Sequence, residues 1–174
     1  MSKLVANLIG GLLVVLLCAG FIELARLLPH YTSSVDASHA LATLVTIVSL
    51  IVVHEALHAV GMVRFGKVSW HDIRFGFTWR ALMPYCHCTV PLSIHAYRLM
   101  GLLPLWTTGA VTLALLLVFP SDWLGLITGV TLAACVGDVW LVAKLRRFPK
   151  DWLVQDSPSE IGCDVSPPVK AIVA

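Results

Sequence analysis

The sequence predicts an all-α membrane protein: a bundle of four transmembrane helices with a small cytoplasm-facing β-hairpin between helices 2 and 3. Three observations predict it. Of 174 residues, 58% are hydrophobic and 13% are charged, against about 25% charged in an ordinary soluble domain. The apolar residues come in blocks long enough to span a bilayer, and the few basic residues cluster between the blocks. Mean hydropathy is +0.87. A net charge of +2 leaves no basic footprint for nucleic acid.

Each span needs about 20 apolar residues. Four segments qualify: Leu4–Leu28, Ala37–Val63, Ala96–Phe119 and Trp123–Leu145. The first is longer than the apolar stretch of a secretory signal, and the small residues Cys18-Ala19-Gly20 make a weak cleavage site, so it is read as a retained helix. Residues 1–148 then form the bundle and 149–174 a cytoplasmic tail. Pro149, Pro158, Pro167 and Pro168 suggest that this tail is mostly irregular.

Orientation follows from Lys and Arg. With the N-terminus inside, 11 of the 12 basic residues lie on the cytoplasmic side, and only Arg26 sits near the outer face. Both termini are therefore expected in the cytoplasm, in what reads as a prokaryotic cytoplasmic membrane. Cys86, Cys88 and Cys163 fall on that reducing side, so no structural disulfide is expected.

Between spans two and three, Ile73, Phe75, Phe77 and Trp79 alternate with Arg74, Gly76, Thr78 and Arg80. Period two marks a half-buried strand over 73–80. Val68–Trp70 and Tyr85–Val90 are its candidate partners.

The second span contains His54-Glu55-Ala56-Leu57-His58, an H-E-x-x-H pattern. With 7 His in the chain, chance places it in roughly one shuffled sequence in two hundred. Two His four residues apart lie about 40° apart around a helix, so both imidazoles can reach one ion. Zinc accepts neutral imidazole nitrogen, and in zincins the intervening Glu is the general base. A catalytic zinc takes three protein ligands and one open position. Asp138 is the candidate third ligand. It lies 8 residues before Arg146, while His54 and His58 lie 10 and 6 residues before Arg64. At 1.5 Å per residue both sites sit about 12 Å inside the cytoplasmic face. Burying such a carboxylate in a span costs roughly 2.5–3.5 kcal/mol on insertion scales and points to function. Gly137 next to it is expected to let helices approach.

Other groups carry less. Glu23 is expected to pair with Arg26 one turn later. Cys86-His87-Cys88 could bind a second metal, but on a strand its two sulfurs face one way and His87 the other.

At these residues the chain resembles the site-2 protease type of intramembrane metalloprotease. More closely, it is similar to a small family of bacterial and archaeal membrane proteins grouped as zincin peptidases. The closer resemblance adds Pro84-Tyr85-Cys86, Pro104, Gly137-Asp138 and Asp156-x-Pro158-x-x-x-Gly162 to the metal motif. It implies a zinc-dependent peptidase hydrolysing peptide bonds of membrane substrates within or beside the bilayer. Two features depart from the site-2 pattern. Gly137 precedes the Asp instead of following it, and the one Asn, Asn7, is far from the site in depth. The carbonyl-stabilising donor is left open among Tyr85, His87, Thr107, Thr108 and a backbone N–H. The alternative reading is a catalytically silent metal-binding protein that binds or escorts membrane partners. It has no use for Glu55. Few clustered His and few polar residues along the spans argue against a di-iron oxygenase and a transporter.

Overall fold

The computed structural model describes residues 3–33, 40–78, 83–156 and 163–168. It is mostly helical. Four helices are long and apolar enough to cross a membrane: Ile9–Leu27, Ala40–Gly66, Ile94–Val118 and Asp122–Leu145. They correspond to α1 (Lys3–Leu27), α2 (Ala40–Gly66), α3 (Ile94–Pro104) continued by a π-helical turn (Leu105–Gly109) and α4 (Ala110–Val118), and α5 (Asp122–Leu145). Their exposed faces are apolar, with Leu12, Val15, Leu41, Val52, Val111 and Trp140 each more than half exposed. Lipid is the medium that makes such faces inexpensive.

The chain divides into two compact units. The first comprises Met1–Ile51 and Leu105–Val136. Here α5 packs on α1 through small residues. A Cβ on Gly129 would come within 2.5 Å of Cys18 Cα, and one on Gly125 within 2.8 Å of Ile22 Cα. Only glycine lets the two backbones meet so closely. The helix ends are tied by polar contacts. Arg26 Nε donates to Asp122 Oδ1 at 3.0 Å, and Tyr31 Oη to Asp122 Oδ2 at 2.6 Å. Arg26 also pairs with Glu23 at 2.7 Å, as the one-turn spacing predicts.

The second unit comprises Val52–Pro104 and Gly137–Ala174. After α2 the chain turns at Lys67, whose φ of 56° is left-handed. Ser69 then caps a short 3₁₀ turn, Trp70–Asp72. Val68–Trp70, which the sequence offered as a strand partner, is therefore not a strand. Its Ser and Asp form a capping box, which favours a turn. β1 (Ile73–Thr78) follows, and pairs antiparallel with β2 (Met83–Cys88), with Ile73 opposite Cys88 and Phe75 opposite Cys86. The remainder of the expected strand, Trp79 and Arg80, lies outside the described residues.

The tail departs most from expectation. Among its described residues, β4 (Leu153–Asp156) and β5 (Cys163–Ser166) join β3 (Leu92–Ser93) in an antiparallel sheet ordered β3-β4-β5. The prolines bracket these strands in sequence instead of interrupting them, and the ladder keeps its donors. Val154 is buried in a core with Ala59, Met62, Ile73, Leu92, Ile94, Tyr97, Met100 and Leu145. The end of α2, the start of α3, the end of α5, the hairpin and the tail sheet all contribute to that core. Arg98 reinforces it by donating to the carbonyls of Leu145 and Phe148 at the end of α5.

Candidate metal centre

α2 presents His54 and His58 on its buried face with Ala59, Gly61 and Met62, while Val52, Val53 and Val60 are exposed. Asp138 comes from α5. The three side chains converge through single atoms. His54 Nε2 lies 3.1 Å from His58 Nε2. Asp138 Oδ2 lies 3.2 Å from the first and 3.5 Å from the second. Among the described residues, this is the group of three or more metal-capable side chains brought together.

The donor set fits a four-coordinate ion. Tetrahedral bonds of about 2.0–2.1 Å place neighbouring donors roughly 3.3–3.4 Å apart. The observed edges of 3.1, 3.2 and 3.5 Å bracket that value. Asp138 Oδ2 is also buried without a well-formed hydrogen bond, although two imidazoles adjoin it. A buried carboxylate oxygen left this way is costly. Three potential ligand atoms gathered at one point are what a cation can join. Asp138 makes no pair with Lys144, whose ammonium sits over the Trp140 ring at 5.2 Å.

His58 is oriented from behind. Its Nδ1 lies 3.3 Å from the carbonyl oxygen of Met100. A carbonyl only accepts, so the proton belongs on Nδ1 and the lone pair on Nε2, facing the other two donors. Close approach of α3 is what permits this contact. A Cβ on Gly61, one turn after His58, would meet Met100 Cα at 2.9 Å. Gly101, one residue on, faces Val142 of α5, whose Cγ2 would be 3.2 Å from an added Cβ. The sequence pointed to the wrong glycine here. Gly137 is exposed and has open space around it, so it mediates no helix contact.

Glu55, half-buried beside these ligands, has the backbone amide of Cys86 as a favourable neighbour. This contact was not legible in the sequence. It comes from the outer edge of β2, the edge turned away from β1. The same edge is held two residues on. Cys88 N–H donates to Asp156 Oδ2 at 3.2 Å, and Gln155 Nε2 donates to Cys88 O at 3.0 Å. Tyr97 Oη donates to Asp156 Oδ1 at 2.7 Å. Asp156 of the tail thus ties β2 to α3.

The Cys86-His87-Cys88 segment is not a second metal cluster. Cys88 is buried in the core. His87 lies on the other face of the strand, stacked on Tyr85 with centroids 5.5 Å apart. Burial first, then the neighbouring charges of Glu55 and Asp156, push the Cys86 thiol up to about 12, so it stays neutral. Burial also raises the Cys88 and Cys163 thiols. Among the carbonyl-stabilising candidates, Tyr85 and His87 lie on the sheet face opposite Cys86. Thr107 and Thr108 belong to the π-helical turn in the other unit.

Neither the curated proteins nor the solved structures contain a match to this chain. A family model described as "Putative zincin peptidase" matches residues 47–153. That stretch is more than half of the sequence and carries His54, Glu55, His58 and Asp138 together with both strands of the hairpin. On this match, and with a metal-capable donor triad at its centre, the chain belongs to the zincin peptidase family.

Proposed function

We propose that the protein is a zinc-dependent peptidase that hydrolyses peptide bonds of membrane substrates within or beside the bilayer, as site-2 type proteases do. The observation that carries this reading is the convergence of three donor atoms from His54, His58 and Asp138 next to Glu55. His54, His58 and Asp138 would hold the ion. Zinc so held would lower the pKa of a water to about 7 and polarise a carbonyl. Glu55 takes the proton from the attacking water and returns it to the leaving amine. The neighbouring Cys86 amide supports the carboxylate from the hairpin side.

The orientation proposed is both termini in the cytoplasm, which puts the hairpin and tail sheet on that side with access to water. A helical substrate hides its carbonyls, so the scissile segment must be extended. The hairpin offers a strand edge for such a segment. Phe75 and Phe77, exposed on the face shared with Cys86, suit an apolar sequence.

Metal analysis of the purified protein, with cleavage assays on transmembrane peptides, tests the reading against Glu55→Gln and His58→Ala. Wild type should carry zinc and cleave. Glu55→Gln should carry zinc and lose turnover by about 10²–10⁴-fold, and His58→Ala should lose both. A Glu55→Gln variant that cleaves as fast as wild type rejects the mechanism. Zinc binding with no cleavage by any form supports the silent metal-binding alternative.

A further inference from the structure

We infer that Pro104 is a positioning residue of the metal centre, acting through the Met100 carbonyl to fix the tautomer and orientation of His58. The inference rests on the metal-binding reading above and assigns a role to a residue that touches no ligand atom. In a regular α-helix the carbonyl of residue 100 accepts the amide of residue 104. Pro104, the last residue of α3, has no amide hydrogen. Inside a span, where water is scarce, a carbonyl so released needs another donor. The structure supplies one, His58 Nδ1 at 3.3 Å.

Gly61 completes the arrangement. Its missing side chain lets the Met100 backbone come against α2 one turn from His58. With the proton held on Nδ1, the Nε2 lone pair is presented to Asp138 Oδ2 and His54 Nε2 before any ion arrives. Partners of this kind raise a ligand's basicity, and their loss typically costs 10–100-fold in metal affinity or activity. Proline therefore does more here than bend a helix: it removes the competitor for one acceptor. An alanine at 104 restores that competitor, and the imidazole must share the carbonyl with it.

The test measures zinc affinity by chelator competition in Pro104→Ala, Met100→Leu, His58→Ala and wild type, and the ring-nitrogen NMR shifts of His58 in metal-free protein. Met100→Leu keeps the carbonyl and controls for packing at that site. We expect Pro104→Ala to bind zinc ten- to a hundredfold more weakly, Met100→Leu to stay within about threefold of wild type, and metal-free wild type to carry the His58 proton on Nδ1. A folded Pro104→Ala protein with wild-type zinc affinity overturns the inference. So does a wild-type His58 protonated on Nε2, a measurement that needs no variant to fold. If His58→Ala itself keeps zinc, the metal-binding reading fails; if only Pro104→Ala keeps it, that reading stands and this inference falls.

Discussion

The backbone amide of Cys86 neighbours the Glu55 carboxylate and interacts favourably with it, so the proposed base is supported by a strand as well as by its own helix. Proline at this position removes the amide hydrogen, and the outer edge of β2 already accommodates one at Pro84. Cys86→Pro should therefore retain zinc while kcat falls by tenfold or more, since losing an amide's interaction with a charged group costs about 1.5–3 kcal/mol. Cys86→Ala, which keeps the amide, should lose far less. Equal losses from both substitutions, measured on the same transmembrane peptide, would show that the thiol and not the amide matters. Phe77→Pro lies on the other strand and should weaken turnover through substrate binding, with metal content intact.

Asp138 supplies the third donor, and two imidazoles alone fall short of the three protein ligands usual at a catalytic zinc. Asp138→Ala should release zinc and abolish cleavage. Glu23→Ala, which breaks the ion pair to Arg26 in the other unit, should spare metal binding. Zinc stoichiometry of the two purified variants separates these outcomes. One tightly held zinc in Asp138→Ala would remove the residue from the site.

The Cys86 thiol ionises near its ordinary value of 9.0 in the unfolded chain and only at about 12 in the folded one. Its folded pKa is raised, so its contribution to stability is complete below pH 9 and declines as pH climbs towards 12. Cys88 and Cys163 shift in the same direction. Thermal unfolding should thus move to lower temperature between pH 9 and pH 11, and the shift should be smaller in Cys86→Ala. An identical alkaline shift in the variant would count against the buried thiol.

Reporter fusions test the topology. Because 11 of 12 basic residues fall on one side, reporters placed after Ser33 and after Pro168 should report opposite sides of the membrane. Same-side reporting would remove the four-span arrangement.

What the sequence revealed and what it concealed divide along physical lines. The four apolar blocks, the helical spacing of His54 and His58, and the matching depth of Asp138 are one-dimensional signals, and the three donors do meet. The period-two run at Ile73 foretold β1 because alternation survives in composition. The tail hid its strands. β4 has only 4 residues, too few for alternation to stand out among flanking prolines, and pairs with β3 across 60 positions of sequence. The Met100 carbonyl and the Cys86 amide were invisible for a simpler reason: backbone groups are carried by every residue, and only the fold selects which ones matter. Gly137 misled because a glycine beside a ligand looks like a packing device, whereas the contacts were made at Gly61 and Gly101.

The bond from Asp156 to Cys88 N–H reaches across 68 positions of the chain. During synthesis α2 and the hairpin precede α5, and β4 follows it. Until Asp156 emerges, the edge of β2 that steadies Glu55 lacks its anchor. A chain built only as far as α5 carries both imidazoles and the Glu55 carboxylate, but not the brace on β2. The brace on β2 thus forms only after α3 and α5 have been made, so the order in which the chain is built decides when that edge is steadied.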